Sequence, residues 1–233
     1  MDKDYKITYR LYNNDRLKKI LFHNKQVYPL YVQVIYNRFN ITFKSYYFDL
    51  FSKAKYALNV AGKSAIPDIK VIIKKEQRVI DFVIEKNRSQ FSLDIFKKEY
   101  VFYSRDLLDI LEDEFLQYLF IFLTDEGLHS LADVVKRGSP GSKLFDLVLD
   151  MKSALNRLLY NRLIDNSFYL APPYLPLSNF ALQQHILLSL SVLDWQDNKL
   201  QDQFIGFFKK HYPDMDVNLT LEKIEKEISG KIL

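Results

Sequence analysis

Residues 5 to 12, YKITYRLY, alternate strictly, with Tyr5, Ile7, Tyr9 and Leu11 on one side and Lys6, Thr8, Arg10 and Tyr12 on the other. A period of two with one apolar side predicts a half-buried strand. The pattern returns at 29 to 36, where Leu30, Val32, Val34 and Tyr36 oppose Tyr31, Gln33 and Ile35, and again at 39 to 44, where Phe39, Ile41 and Phe43 oppose Asn40, Thr42 and Lys44. The short NRFN connection at 37 to 40 predicts a hairpin, although it lacks the glycine such turns favour. Residues 13 to 27 read as a long basic loop, and its Ile20, Leu21 and Phe22 require cover.

Three antiparallel strands must bury their apolar face, and the next periodic segment supplies the lid. Ile69, Ile72, Ile73, Ile80, Val83 and Ile84 fall on one helical stripe, while Lys70, Lys74, Lys75, Arg78 and Lys86 fall on the other side. Before it, residues 58 to 68 read as a linker punctuated by Gly62 and Pro67.

From 104 onward the period is helical. The segment 104 to 123 opens on a capping serine or aspartate and turns apolar nearly all round, which predicts a central helix. RGSPGS at 137 to 142 breaks the chain, and a long helix follows at 144 to 164. Residues 166 to 179 read as extended and proline-rich, with helices at 179 to 193, 201 to 212 and 218 to 230 after them. The predicted fold class is α+β, a three-stranded antiparallel sheet with a covering helix in residues 1–90, followed by an all-helical domain in 91–233.

Charge divides along the same line. The first hundred residues carry 20 Lys/Arg against 10 Asp/Glu, whereas the remaining 133 carry 13 against 19. Such asymmetry points to a polyanionic partner for the basic half. The chain has no cysteine, hence neither a disulfide framework nor a thiolate metal site. No run approaches the roughly 18 apolar residues of a membrane span, and the first residues lack the apolar stretch of a secretion signal. The expectation is a soluble protein of the cytoplasm, bacterial or phage-infected, or a virion component, with no membrane partner.

Tyr28-Pro29 before the second strand, the Asn37-Arg38 hairpin and Gly62-Lys63-Ser64 before a helix carry a resemblance over about residues 1 to 88. This order resembles the N-terminal arm-type DNA-binding domain of phage and mobile-element integrases, the tyrosine recombinases. The resemblance implies a sheet that grips double-stranded DNA. Recombinases also need a His-x-x-Arg element, and none of His23, His129, His185 and His211 is followed three residues later by Arg. It therefore implies the DNA-gripping front without the cutting end, and neither catalytic residues, a cofactor nor a metal is expected.

A twisted ribbon fits the major groove, where side chains reach base edges. The candidate DNA-binding residues are Lys6, Thr8, Arg10, Gln33, Asn37, Arg38, Asn40, Thr42 and Lys44 on the sheet, with Lys18, Lys19 and Lys25 of the loop meeting phosphates. Amides can pair with adenine and Arg with guanine. The same residues would equally form the solvated face of any antiparallel sheet. The acidic helical half is expected to contact other proteins or itself, and the alternative function is a structural or assembly component, for example of a virus particle.

Other motifs have plainer readings. ALNVAGKS at 57 to 64 has the spacing of a nucleotide loop, but the preceding SKAKY is polar rather than a buried strand. Glu112, Asp113 and Glu114 point around a helix, and His185 is expected in an apolar helix. PPYLP at 172 to 176 fits either a docking element or a rigid connector.

Overall fold

The computed structural model describes residues 5–11, 18–22, 25–36, 38–57, 69–184, 186 and 189–230. The linker at 58 to 68, with Gly62-Lys63-Ser64 and most of the ALNVAGKS segment, lies outside them, as do Tyr12, His23, Asn37 and His185. The chain divides into two compact units, Met1–Ser104 and Arg105–Leu233.

The first unit carries five strands, β1 (Tyr5–Leu11), β2 (Ile20–Phe22), β3 (Lys25–Val27), β4 (Leu30–Tyr36) and β5 (Phe39–Lys44). Four helices follow, α1 (Tyr46–Phe51), α2 (Ala54–Ala57), α3 (Ile69–Lys86) and α4 (Leu93–Ser104). β1, β4 and β5 form the antiparallel three-stranded sheet that the alternation predicts, and its order is β1-β4-β5. Its register stacks like with like. Tyr5, Tyr36 and Phe39 form one row of the apolar face, followed by Ile7, Val34 and Ile41 and by Tyr9, Val32 and Phe43. Leu30, Val32 and Val34 are fully buried, whereas Phe39, at the end of the sheet, remains 40 % exposed beside Phe91.

The predicted lid is α3. Its Ile72, Val79, Ile80, Val83 and Ile84 are buried, and the Tyr5 hydroxyl donates to Asp81 Oδ1 at 2.6 Å, tying β1 to the helix.

Two expectations for this unit need correction. The basic segment 13 to 27 contains a two-stranded hairpin, β2 with β3, in which Ile20 opposes Val27. The cover for its apolar residues comes from α1, where Phe48 stacks on Phe22 with ring centroids 4.4 Å apart. The boundary also falls after Ser104 rather than near residue 90. The reason is α4, whose Phe96, Tyr100 and Tyr103 recur on one helical face and are buried. Phe96 and Tyr100 pack against Phe43 of β5, so α4 completes the core of the sheet unit.

The second unit is helical: α5 (Leu107–Asp125), α6 (His129–Gly138), α7 (Leu144–Ala154), α8 (Arg157–Leu170), α9 (Tyr174–Gln183), α10 (Val192–Trp195), α11 (Asn198–His211) and α12 (Val217–Gly230). α5 is central as predicted, capped by Asp106, whose side chain accepts from Leu108 N. Its Leu107, Leu111, Phe115, Leu119 and Leu123 are completely enclosed.

Elsewhere caps and prolines redraw the predicted boundaries. The long helix at 144 to 164 is broken where Leu155 is extended and Asn156 accepts from Leu159 N at 2.9 Å, starting α8 afresh. Residues 166 to 179 are not extended. α8 continues to Leu170, and α9 begins at Tyr174, directly after Pro173. Pro176 lies in its first turn, where the missing N–H costs no helical bond. Tyr174, Leu175 and Pro176 are buried, so PPYLP is core and not a docking element. The helix predicted at 179 to 193 stops at Gln183, and the chain then pairs Ser191 with Asp106 before a capping box between Ser191 and Asp194 opens α10.

Candidate nucleic-acid interface

The outer face of the three-stranded sheet follows from the same register that builds its core. Lys6, Ile35 and Asn40 form one row, Thr8, Gln33 and Thr42 the next, and Arg10, Tyr31 and Lys44 the third. Rows are separated by about 7 Å, two residues of rise, and strands by about 4.8 Å, so the face is small enough to enter a major groove about 12 Å wide. None of these nine residues is a carboxylate. Lys6, Asn40, Thr42 and Lys44 are exposed, and Thr8 and Gln33 are half-buried. Gln33 Nε2 donates to Asn40 Oδ1 at 3.0 Å, a diagonal pair that holds the two amides together in the middle of the face.

The register thus places Lys6, Thr8, Arg10, Gln33, Asn40, Thr42 and Lys44 at positions of one face. Arg38 is exposed in the β4–β5 turn with φ of 66°, a left-handed conformation that costs an arginine about 1 kcal/mol. Asn37, the other turn residue, lies outside the described residues. Lys18 and Lys19 are exposed ahead of β2, and the Lys19 ammonium sits 5.2 Å from the centre of the Tyr28 ring. Lys25 lies in β3 opposite Phe22, in the two-stranded hairpin rather than in the main sheet.

Behind the sheet lies a polar cluster that the sequence reading missed. Glu76 of α3 is completely buried and takes three hydrogen bonds: from Ser45 Oγ at 2.6 Å, from Tyr46 N at 3.0 Å and from the Tyr100 hydroxyl. Ser45 also caps α1, accepting from Phe48 N at 3.1 Å. One carboxylate therefore joins the end of β5, α1, α3 and α4. Burial pushes the Glu76 carboxyl up to about 7, against the pull of the three donors, and Asp49 adds to the rise. A signal existed in the sequence, since Glu76 occupies a position on the α3 stripe between Ile72 and Ile80 where an apolar residue is expected.

In the helical unit, Glu112 is not merely a solvated carboxylate. It accepts from the Tyr174 hydroxyl at 3.1 Å and from Leu144 N, at the start of α7, at 3.3 Å. Asp113 and Glu114 are exposed. His211 stacks on Phe207 with centroids 4.5 Å apart. Among the described residues no group of three or more His, Asp or Glu side chains is arranged to hold a metal ion, and no helix is long and apolar enough to cross a membrane.

Compared with family models, with curated proteins and with solved structures, the chain has no match in any of the three.

Proposed function

We propose that the first unit binds double-stranded DNA without catalysis, laying the outer face of the β1-β4-β5 sheet in the major groove, in a protein of a phage or mobile element. The observation that carries this reading is the composition of that face: three cations, Lys6, Arg10 and Lys44, and four hydrogen-bonding amides and hydroxyls, Thr8, Gln33, Asn40 and Thr42, in register and with no carboxylate among them. Amides in this position can read adenine and Arg10 guanine, while Lys18 and Lys19 neutralise phosphate. The resemblance of residues 1 to 88 to an integrase arm domain supports the same assignment.

The helical unit, with its opposite charge, contacts other proteins in this reading. Leu158 and Leu170 on α8 are 83 % and 72 % exposed, apolar side chains open to a partner. The same leucines favour the second reading, an assembly component such as a virion protein whose basic unit meets nucleic acid without reading its sequence.

Fluorescence anisotropy of the full chain on a panel of labelled duplexes separates the two. For a sequence reader, Asn40→Ala and Arg10→Ala weaken the preferred duplex by about 1–3 kcal/mol more than random DNA, and Lys18→Ala or Lys19→Ala lowers the salt slope by about one for all sequences. Equal weakening on every duplex removes base readout and leaves the assembly reading; absence of salt-sensitive binding to any duplex removes both.

A further inference from the structure

A cleft opens on the first unit where the edge strand β5 meets α1 and α4. Ile41 and Phe43 of β5, Tyr46 and Asp49 of α1, and Phe96, Tyr100 and Val101 of α4 line a cleft of about 280 Å³, with Lys44 and Lys97 at its lip. That is close to the lower end of the roughly 300–1,000 Å³ range of small-molecule pockets, and its lining of aromatic and aliphatic side chains with few polar groups is the usual composition of one. The floor is an aromatic cluster. Phe43 meets Tyr100 with centroids 4.5 Å apart, and Phe96 lies nearly parallel to Tyr100 at 6.0 Å.

The polar atoms on this floor are already engaged. The Tyr100 hydroxyl donates to Glu76, and Tyr46 N donates to Glu76 and to the Tyr100 hydroxyl. A ligand therefore meets ring faces and methyl groups inside, and can satisfy a charged group only at the lip. There the cations outnumber the acids. Asp49 faces Lys44, whereas among the described residues Lys97 has no ion-pair partner.

We infer that this cleft binds a small amphiphilic carboxylate, its apolar tail against Phe43 and Val101, above the buried rings of Phe96 and Tyr100, and its head group at Lys97. Volume limits the tail to one ring or a medium-length chain. Lys44 is the lining residue that this site shares with the outer face of the sheet; the apolar lining and Lys97 lie off that face.

The test is a titration of the full chain with decanoate, followed by shifts of the Ile41 and Val101 methyl resonances, with decyltrimethylammonium as the probe of opposite charge. Decanoate is expected to move these methyls and to bind about fivefold or more tightly than the ammonium compound, the difference an exposed ion pair at the lip provides. Val101→Trp, at a position 56 % exposed on α4, fills the cleft and is expected to weaken decanoate binding at least tenfold. Lys97→Glu lies on the surface and is expected to weaken decanoate while favouring the ammonium probe, so the proposal stays testable even if the tryptophan variant unfolds by circular dichroism. Equal or tighter binding of the ammonium compound, or decanoate affinity unchanged in both variants, would overturn it.

Discussion

At the scale of single residues, Glu76 and Arg38 both stand where ordinary preference would put something else. Glu76 is an acid in a helix stripe that is otherwise apolar, stabilised by three donors, two from the start of α1 and one from α4. Its carboxyl rises from an ordinary 4.5 to about 7 because burial disfavours the charge more than the donors favour it. The folded protein thus keeps a proton that the unfolded chain has released, so this group's contribution is complete below pH about 4.5 and is lost as pH rises through about 7. The linkage amounts to about 3 kcal/mol. Denaturant unfolding between pH 5 and 8 should show wild-type stability falling relative to Glu76→Gln across this range; a constant difference between the two proteins would contradict the assignment. Arg38 holds the left-handed turn position that glycine adopts freely. Arg38→Gly should therefore raise stability by about 0.5–1 kcal/mol, measured by the denaturation midpoint, while removing one cation from the end of the candidate face.

At the scale of elements, apolar faces are matched by rings. The β2–β3 hairpin, too short to persist alone, is held on α1 by the stack of Phe22 on Phe48. Phe22→Ala should cost about 1–2 kcal/mol and expose amide hydrogens of Ile20 and Val27 to faster exchange. Unchanged exchange there would mean that something other than this stack secures the hairpin. In the helical unit α8 ends by a different device: the Lys223 ammonium of α12 donates to the carbonyls of Phe168 and Tyr169 at 2.8 and 3.1 Å, satisfying the open end of the helix. Partial burial lowers the pKa of this lysine. Replacing it with Met leaves those carbonyls to water and is expected to cost about 1 kcal/mol, read as a lowered thermal midpoint.

At the scale of the whole molecule, the decisive matter is where one compact unit stops. A fragment of residues 1–90 contains the sheet and its lid yet lacks α4, and with it Phe96, Tyr100 and Tyr103, three buried rings. Losing three buried aromatics, at about 3–5 kcal/mol each, removes about as much as the 5–15 kcal/mol that an ordinary domain has in hand. Residues 1–104 should therefore give a cooperative thermal transition and dispersed amide resonances, and residues 1–90 should not. A folded 1–90 fragment would show that α4 is an accessory. DNA binding, if it resides on the outer face, should accompany the 1–104 fragment.

Alternation along residues 5–12, 29–36 and 39–44 determined the three strands and their faces, and helical spacing along 69–84 the stripe of α3, because a period of two or of 3.6 is imposed by backbone geometry and needs no partner to be read. The seven candidates that share one face were legible for the same reason: alternation places them on one side, and only a register shift could have separated them. What the chain could not reveal by itself were the features made by long-range pairing. The Ser45–Glu76–Tyr100 cluster unites residues 24 to 31 positions apart, and the burial of Tyr174 and Pro176 depends on α5, whose Phe115 stacks on the tyrosine ring. Local pattern states which side of an element is apolar; the tertiary structure alone decides what each side meets, because burial and pKa are properties of the neighbours and not of the residue.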